Sequence, residues 1–233
     1  MIRSSVCRLR RWLAERDYHW LVRSQLRDVM RIASGCRTLL DVGCGPRSPL
    51  ARLSWQYSLG IDGCADAIRQ ARDGGTHTEL LCGDVFTTLE RLRDSSFDAV
   101  AALDLIEHFQ KHDGYRLLQS MERIARRVVI VSTPNGFLEQ AAASNPLQEH
   151  RCGWDLEEMR RLGYCVSGLY GPKFLRGQGH ELRFRPKILW GLAARLGHAA
   201  ITRRQAAWAA GLLCSKRVAA TGGEETRTAR NTG

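Results

Sequence analysis

The chain has 233 residues, 44% of them apolar, and a formal charge of +11 at pH 7. Such a length and composition suit one globular domain with a sizeable core and additions at both ends. No run of about eighteen uncharged apolar residues occurs, which excludes a membrane-spanning helix, and the basic N-terminus lacks the continuous apolar stretch of a secretory leader. Eight cysteines are scattered without a Cys-x-x-Cys pair. They read as reduced thiols of a cytoplasmic protein rather than as a disulfide framework or zinc site.

In chain order, Arg8 to Ala33 has apolar residues at helical spacing, from Leu9 and Trp12 to Met30 and Ile32. Residues 1–36 are therefore expected to form a helical cap. Thr38 to Val42 is a short apolar run that enters the turn Gly43-Cys44-Gly45, and a second run, Leu59-Gly60-Ile61, ends at Asp62. Apolar strand, glycine turn, helix, strand and acid together describe a nucleotide-type site on a parallel sheet. A dinucleotide site would want a third glycine where Ser48 stands. Asp41, just ahead of the turn, would also repel a pyrophosphate. It suits a ligand that presents an ammonium and a sulfonium instead.

At these residues the chain resembles the class I S-adenosylmethionine-dependent methyltransferases, whose first motif is acid-x-Gly-x-Gly. The likeness continues in the family's order. Leu80 to Val85 resembles the third strand and its adenine-side acid, and Phe97 to Leu103 the fourth. Asp104-Leu105-Ile106-Glu107-His108-Phe109 is similar to the acid-His segment of the ubiquinone-type O-methyltransferase branch, and Val128 to Gly136 to the fifth strand and its turn. Arg47 departs from the glycine that many members carry. The alternation of strands with helices at Pro49 to Ser54, Ala65 to Arg72, Thr87 to Leu92 and Gly114 to Arg126 agrees with a doubly wound sheet. Asp155 and Glu158 read as a capping box opening a helix to Leu162. Tyr164 to Tyr170 reads as a sixth strand, and Trp208 to Val218 resembles the family's antiparallel closing strand. The expected fold is thus α/β. It has a mostly parallel seven-stranded sheet, helices on both faces and an antiparallel edge strand, over residues 37–218. A polar tail, 219–233, is expected to be disordered.

The resemblance implies S-adenosylmethionine as cofactor. It assigns the backbone of Gly43 and Gly45 to the methionine and ribose, and Asp41 to the loop or the ammonium. Asp62 falls to the ribose hydroxyls, Asp84 with the Val85 amide to the adenine, and the backbone of Leu103 to the ammonium. His108, just after the fourth strand, is the expected general base. Some small-RNA and ubiquinone-pathway relatives hold a divalent metal with Glu-x-x-Glu-His and a distant histidine. The matching set here is Asp104, Glu107, His108 and His150 or His112. Its first member is Asp, and on that ground no metal is expected. The loop Asn145 to Trp154 is expected to recognise substrate, with Gln148, His150, Arg151 and Trp154 facing the cavity.

Basic residues cluster at Arg3, Arg8, Arg10 and Arg11 and again from Lys173 to Arg217. They suit nucleic acid, an anionic membrane surface or an acidic small substrate. Aromatic residues are not interleaved with them, which disfavours a single-strand platform. The expected partner is a small or lipid-linked metabolite methylated on oxygen, with peripheral membrane contact through the N-terminus as a further reading. The rival readings are an RNA methyltransferase and a binding module that keeps the cofactor but not catalysis.

Overall fold

The computed structural model describes residues 19–140, 146–177 and 181–218. Residues 8–18 of the expected cap helix, its four N-terminal arginines and the tail lie outside that range. Helix α1 covers 19–32 and buries Leu21, Val22, Leu26 and Val29 against the sheet. The remaining elements are β1 (Thr38–Val42), β2 (Tyr57–Asp62), α2 (Ala65–Asp73), β3 (Glu79–Cys82), α3 (Val85–Glu90), β4 (Phe97–Leu103), α4 (Lys111–Ile124) and β5 (Ala125–Pro134). They are followed by α5 (Leu156–Arg161), β6 (Cys165–Pro172), α6 (Lys187–Gly197) and β7 (Ala209–Arg217).

The seven strands form one sheet in the order β3-β2-β1-β4-β5-β7-β6. Neighbours from β3 through β5 are parallel, while β7 is antiparallel to both β5 and β6. The expected antiparallel strand is therefore β7, lying one place in from the edge that β6 forms. Both faces are covered, which explains why β4 and β5 read as continuous apolar runs rather than as alternating ones. Leu40, Val100, Val129 and Val131 pack with Leu117, Met121 and Ile124 of α4 on one face. Leu39, Ala99, Val128 and Ile130 pack with Leu26 and Val29 of α1 on the other.

The strand order reverses between β1 and β4, and ligands of open α/β sheets bind at the carboxyl ends flanking such a point. Pro49–Arg52, expected as a helix, makes only a 3-10 turn capped by Ser48, whose Oγ accepts from Leu50 N at 3.2 Å. Of the expected capping box only the N-cap half forms: Asp155 Oδ1 accepts from Glu158 N at 2.8 Å, while the Glu158 carboxylate accepts from Lys111 Nζ (2.7 Å) and Tyr115 OH (2.5 Å). No helix among the described residues is long and apolar enough to cross a membrane.

Candidate active site

The first half of the site is a backbone cradle. Gly43 and Gly45 have φ of 70° and 60°, values that suit glycine far better than other residues. A Cβ on Gly43 would lie 2.5 Å from Leu105 Cδ1, so the turn also needs the missing side chain. The amides of Gly43 and Cys44 donate to Ile61 O at 2.8 and 3.0 Å, tying the turn to β2. Asp62, at the end of β2, clamps it from the other side: Oδ2 accepts from Gly45 N (2.9 Å) and Oδ1 from Cys64 N (2.8 Å). Each oxygen keeps a second lone pair for a ligand.

A cavity of about 260 Å³ opens here, lined by Gly43, Gly45, Asp62, Asp84 and Val85. Asp84 also caps α3, its Oδ1 accepting from Thr87 N (2.9 Å) and Thr87 Oγ1 (3.0 Å). The backbone bond is the main reason its pKa lies below the usual carboxylate value. Asp41 is buried beneath the turn and does not line the cavity. It accepts from Ser48 Oγ at 2.5 Å and pairs with His77 Nε2 at 3.0 Å. Of its two expected roles, this geometry fits the orienting of the loop. Ser48, where a dinucleotide site would have glycine, supplies one of the bonds. Cys44 is buried, and burial raises its thiol pKa, which keeps it unreactive.

The second half is built from side chains. A cleft of about 350 Å³ is lined by Leu21, Val22 and Gln25 of α1, by Leu103 and by Tyr170, among others. Leu103 thus faces this cleft, not the cradle. Asp104, His108 and Gln148 line both cavities, so the two meet there. Asp104 sits at φ 50° just past β4, an uncommon conformation for a non-glycine residue. Its Oδ1 accepts from Ser132 Oγ (3.0 Å) and its Oδ2 from Tyr170 OH (3.2 Å), while Gln25 Nε2 donates to Ser132 Oγ (3.0 Å). Burial, then the charge of Asp104, holds Tyr170 well above the usual phenol pKa and therefore protonated.

Beside this network, Glu107, His108 and His150 each offer a ligand atom, all within 4.8 Å of one another. His108 Nδ1 lies 3.1 Å from Glu149 O, and His150 Nδ1 lies 2.7 Å from Leu138 O. A carbonyl can only accept, so both Nδ1 atoms carry a proton and Nε2 is the ring atom left to bind a ligand. The backbone of Glu107 anchors the loop that carries His150: Arg151 N and Cys152 N donate to Glu107 O at 2.8 and 3.2 Å. Glu107 Oε2 is buried without a hydrogen-bond partner. Burial, reinforced by Asp104, pushes the Glu107 carboxyl well above its ordinary pKa. Burial also lowers the pKa of His108. Two histidines and one carboxylate, whose Oε2 is buried and unsatisfied, fit a divalent cation of the manganese or zinc kind. Asp104 is turned onto Ser132 and Tyr170 and does not join them. His112 is an exposed residue of α4 beside Asp113 (3.3 Å).

Gln148 lines both cavities, and Arg151 lines the cradle rather than the cleft. Trp154 corrects the sequence expectation. It is fully buried, edge-on to Tyr115 and under the Lys111 ammonium, because Gly114 leaves the space its ring fills. Gln25 and Tyr170, which line the cleft, were not singled out in the sequence, nor was Ser132, the buried serine that bonds both Gln25 and Asp104.

Residues 40–132, about two fifths of the chain, match the model of the methyltransferase domain family. A small RNA 2'-O-methyltransferase of Tetrahymena thermophila is 27% identical, over 69% of this chain. The chain spans only 44% of that curated relative's length. A SAM-dependent methyltransferase from Archaeoglobus fulgidus shares the fold with a TM-score of 0.56 at 17% identity, covering 84% of this chain and 93% of that one. The plantazolicin methyltransferase BamL does so at 0.53 and 14%, covering 91% and 90%. Residues 40–132 thus resemble a methyltransferase domain, and the chain shares the fold of these methyltransferase structures.

Proposed function

We propose that the enzyme methylates a hydroxyl oxygen of a small or lipid-linked metabolite, with a divalent cation held by Glu107, His108 and His150. The observation that carries this reading is the convergence of those three side chains where the two cavities meet. The cradle would take the cofactor. Gly43 and Gly45 run along its methionine and ribose, Asp62 meets the ribose hydroxyls, and Asp84 with Val85 meets the adenine. Asp104 and His108, which line both cavities, would stand between cofactor and acceptor. Such a cation, when bound, supplies Lewis acidity that lowers the pKa of a neighbouring hydroxyl. The chain supplies the rest. Leu21, Val22, Leu103 and Leu138 exclude water from the cleft, and Gln148, at the junction of the two cavities, orients the acceptor. Tyr170 and Ser132 hold Asp104 at the junction. With two histidines and one carboxylate contributed by protein, coordination positions remain for substrate. An acceptor with two adjacent oxygens suits them best.

An alternative acceptor is the terminal ribose of an RNA, which also carries adjacent hydroxyls. The likeness to the Tetrahymena small-RNA enzyme favours it. The size and apolar lining of the cleft favour the metabolite. In the competing chemical role, His108 accepts the acceptor proton through the same Nε2. The test is turnover of metal-stripped enzyme with a panel of catechol- and diol-type metabolites and with short RNAs. Activity on a metabolite that needs added manganese or zinc supports the proposal. Activity on RNA alone shifts the acceptor, and activity that ignores chelator returns His108 to the role of base.

A further inference from the structure

Opposite its buried face, α6 presents an apolar stripe with no covering element among the described residues. Ile188, Leu192 and Leu196 recur at four-residue spacing, with Leu189 beside them, and all four are 56–62% exposed. Ile201 and Trp208, in the turns that follow, are at least half exposed as well. The other side of the helix is fixed. Gly191 and Ala194 are buried, and a Cβ on Gly171 would lie 2.6 Å from Ala194 O, so α6 sits close on β6. Burying the stripe would therefore require a surface from outside the described residues and not a rearrangement of α6.

The charge around the stripe says which partner. From Leu182 to Arg217 the chain has no aspartate or glutamate and eight lysines and arginines, of which Lys187, Arg203 and Lys216 pair with Glu181, Asp28 and Glu122. Arg183, Arg185 and Arg204, close to the stripe in sequence, are exposed. Leucine, isoleucine and tryptophan flanked by cations are the residues of a helix that lies in a membrane interface, with its apolar side chains among acyl chains and its cations at anionic headgroups.

We infer that the exposed face of α6, continued by Ile201 and Trp208, docks on an anionic lipid bilayer. The inference goes beyond the reaction and does not depend on which acceptor is methylated. Docking would also bring the cleft near the lipid. The π-turn His198–Thr202 that continues α6 is tied to α1 by His198 Nε2 and Ser24 Oγ (3.2 Å), and Leu21 and Val22 of α1 line the cleft.

The test is co-sedimentation of the full chain with vesicles of phosphatidylcholine and phosphatidylglycerol in equal parts, and with phosphatidylcholine alone. The wild type should sediment with the mixed vesicles, poorly with the neutral ones, and less as salt rises. The double variant Leu192→Asp, Leu196→Asp should partition at least about tenfold more weakly, with melting temperature and S-adenosylhomocysteine affinity unchanged. Should that variant misfold, Arg183→Glu with Arg185→Glu tests the charged rim alone and should abolish the preference for phosphatidylglycerol. The inference is overturned if the wild type stays in the supernatant, or if folded variants sediment like wild type, as they would if the N-terminal arginines did the binding. It is also overturned if the stripe proves to be the seam of a homodimer that Leu192→Asp, Leu196→Asp splits.

Discussion

The glycine cradle, proposed to hold the cofactor, is made of backbone, and the cleft proposed for the acceptor is made of side chains. In the cradle, two left-handed glycines and two clamping amides set the shape, and Asp62 contacts its own loop before any ligand. In the cleft, α1, the end of β4 with the turn after it, the segment after β5 and the end of β6 all contribute side chains. A backbone-built site tolerates little change and serves one ligand. A side-chain-built site can be rewritten residue by residue, so acceptors can differ while the cofactor stays the same.

Substitutions on either side should separate the two halves kinetically. The largest effect is expected from Glu107→Ala and from His150→Ala. Turnover should fall by at least about 10²-fold, since even outer-shell partners of a metal typically cost 10–100-fold. Calorimetry should find S-adenosylhomocysteine affinity close to wild type. His108→Ala should fall at least as far, whether it acts as ligand or as base.

Asp62→Ala should act in the opposite sense, weakening cofactor binding by about 1.5–3 kcal/mol, the worth of charged hydrogen bonds to hydroxyls. Turnover at saturating cofactor should be largely retained. Unchanged affinity in a folded variant would leave Asp62 as a clamp for Gly45 and Cys64 only.

Gly43→Ala and Gly45→Ala compare two positions within the cradle. Both incur about 1–2 kcal/mol for a left-handed alanine. Gly43→Ala must in addition displace Leu105, whereas nothing lies within 4 Å of a Cβ on Gly45. Melting temperature and cofactor affinity should therefore drop further for Gly43→Ala.

The smallest expected effect tests the junction of the cap with α6. Burial holds the His198 imidazole below its ordinary value of 6.5, with Asp28 pulling the other way. The unfolded chain then binds a proton that the folded chain refuses. Stability is complete above that ordinary value and is lost as pH falls toward the folded one. The urea midpoint should drop between neutral pH and about pH 5.5, and His198→Phe should flatten that drop.

The same contrast explains what could be read from the residues alone. The parallel sheet, its reversal point and the loop acids follow from local patterns: apolar runs, a glycine turn, an acid closing the next strand. Asp41 shows the limit even there. Its position was legible, but its partners Ser48 and His77 meet it only in the folded chain. The network behind the cleft left little local trace, because Gln25, Ser132 and Tyr170 come from three distant segments and meet Asp104 only in the folded chain. Trp154 sits in a loop rich in polar residues and looked like a substrate contact. The small residue that makes room for it, Gly114, is forty positions away. His150 and Glu107 were legible as a pair only through a family pattern, and Asp104 argued against it. The fold resolves that tension by turning Asp104 toward Tyr170 and leaving the other three together.

Anomalous diffraction from crystals grown with manganese and S-adenosylhomocysteine tests the central claim most directly. The account predicts a manganese peak bonded to the Glu107 carboxylate and to Nε2 of His108 and His150. The cofactor sulfur should lie in the adjoining cradle above Gly43. A bound cofactor with no metal peak at those three side chains would contradict it.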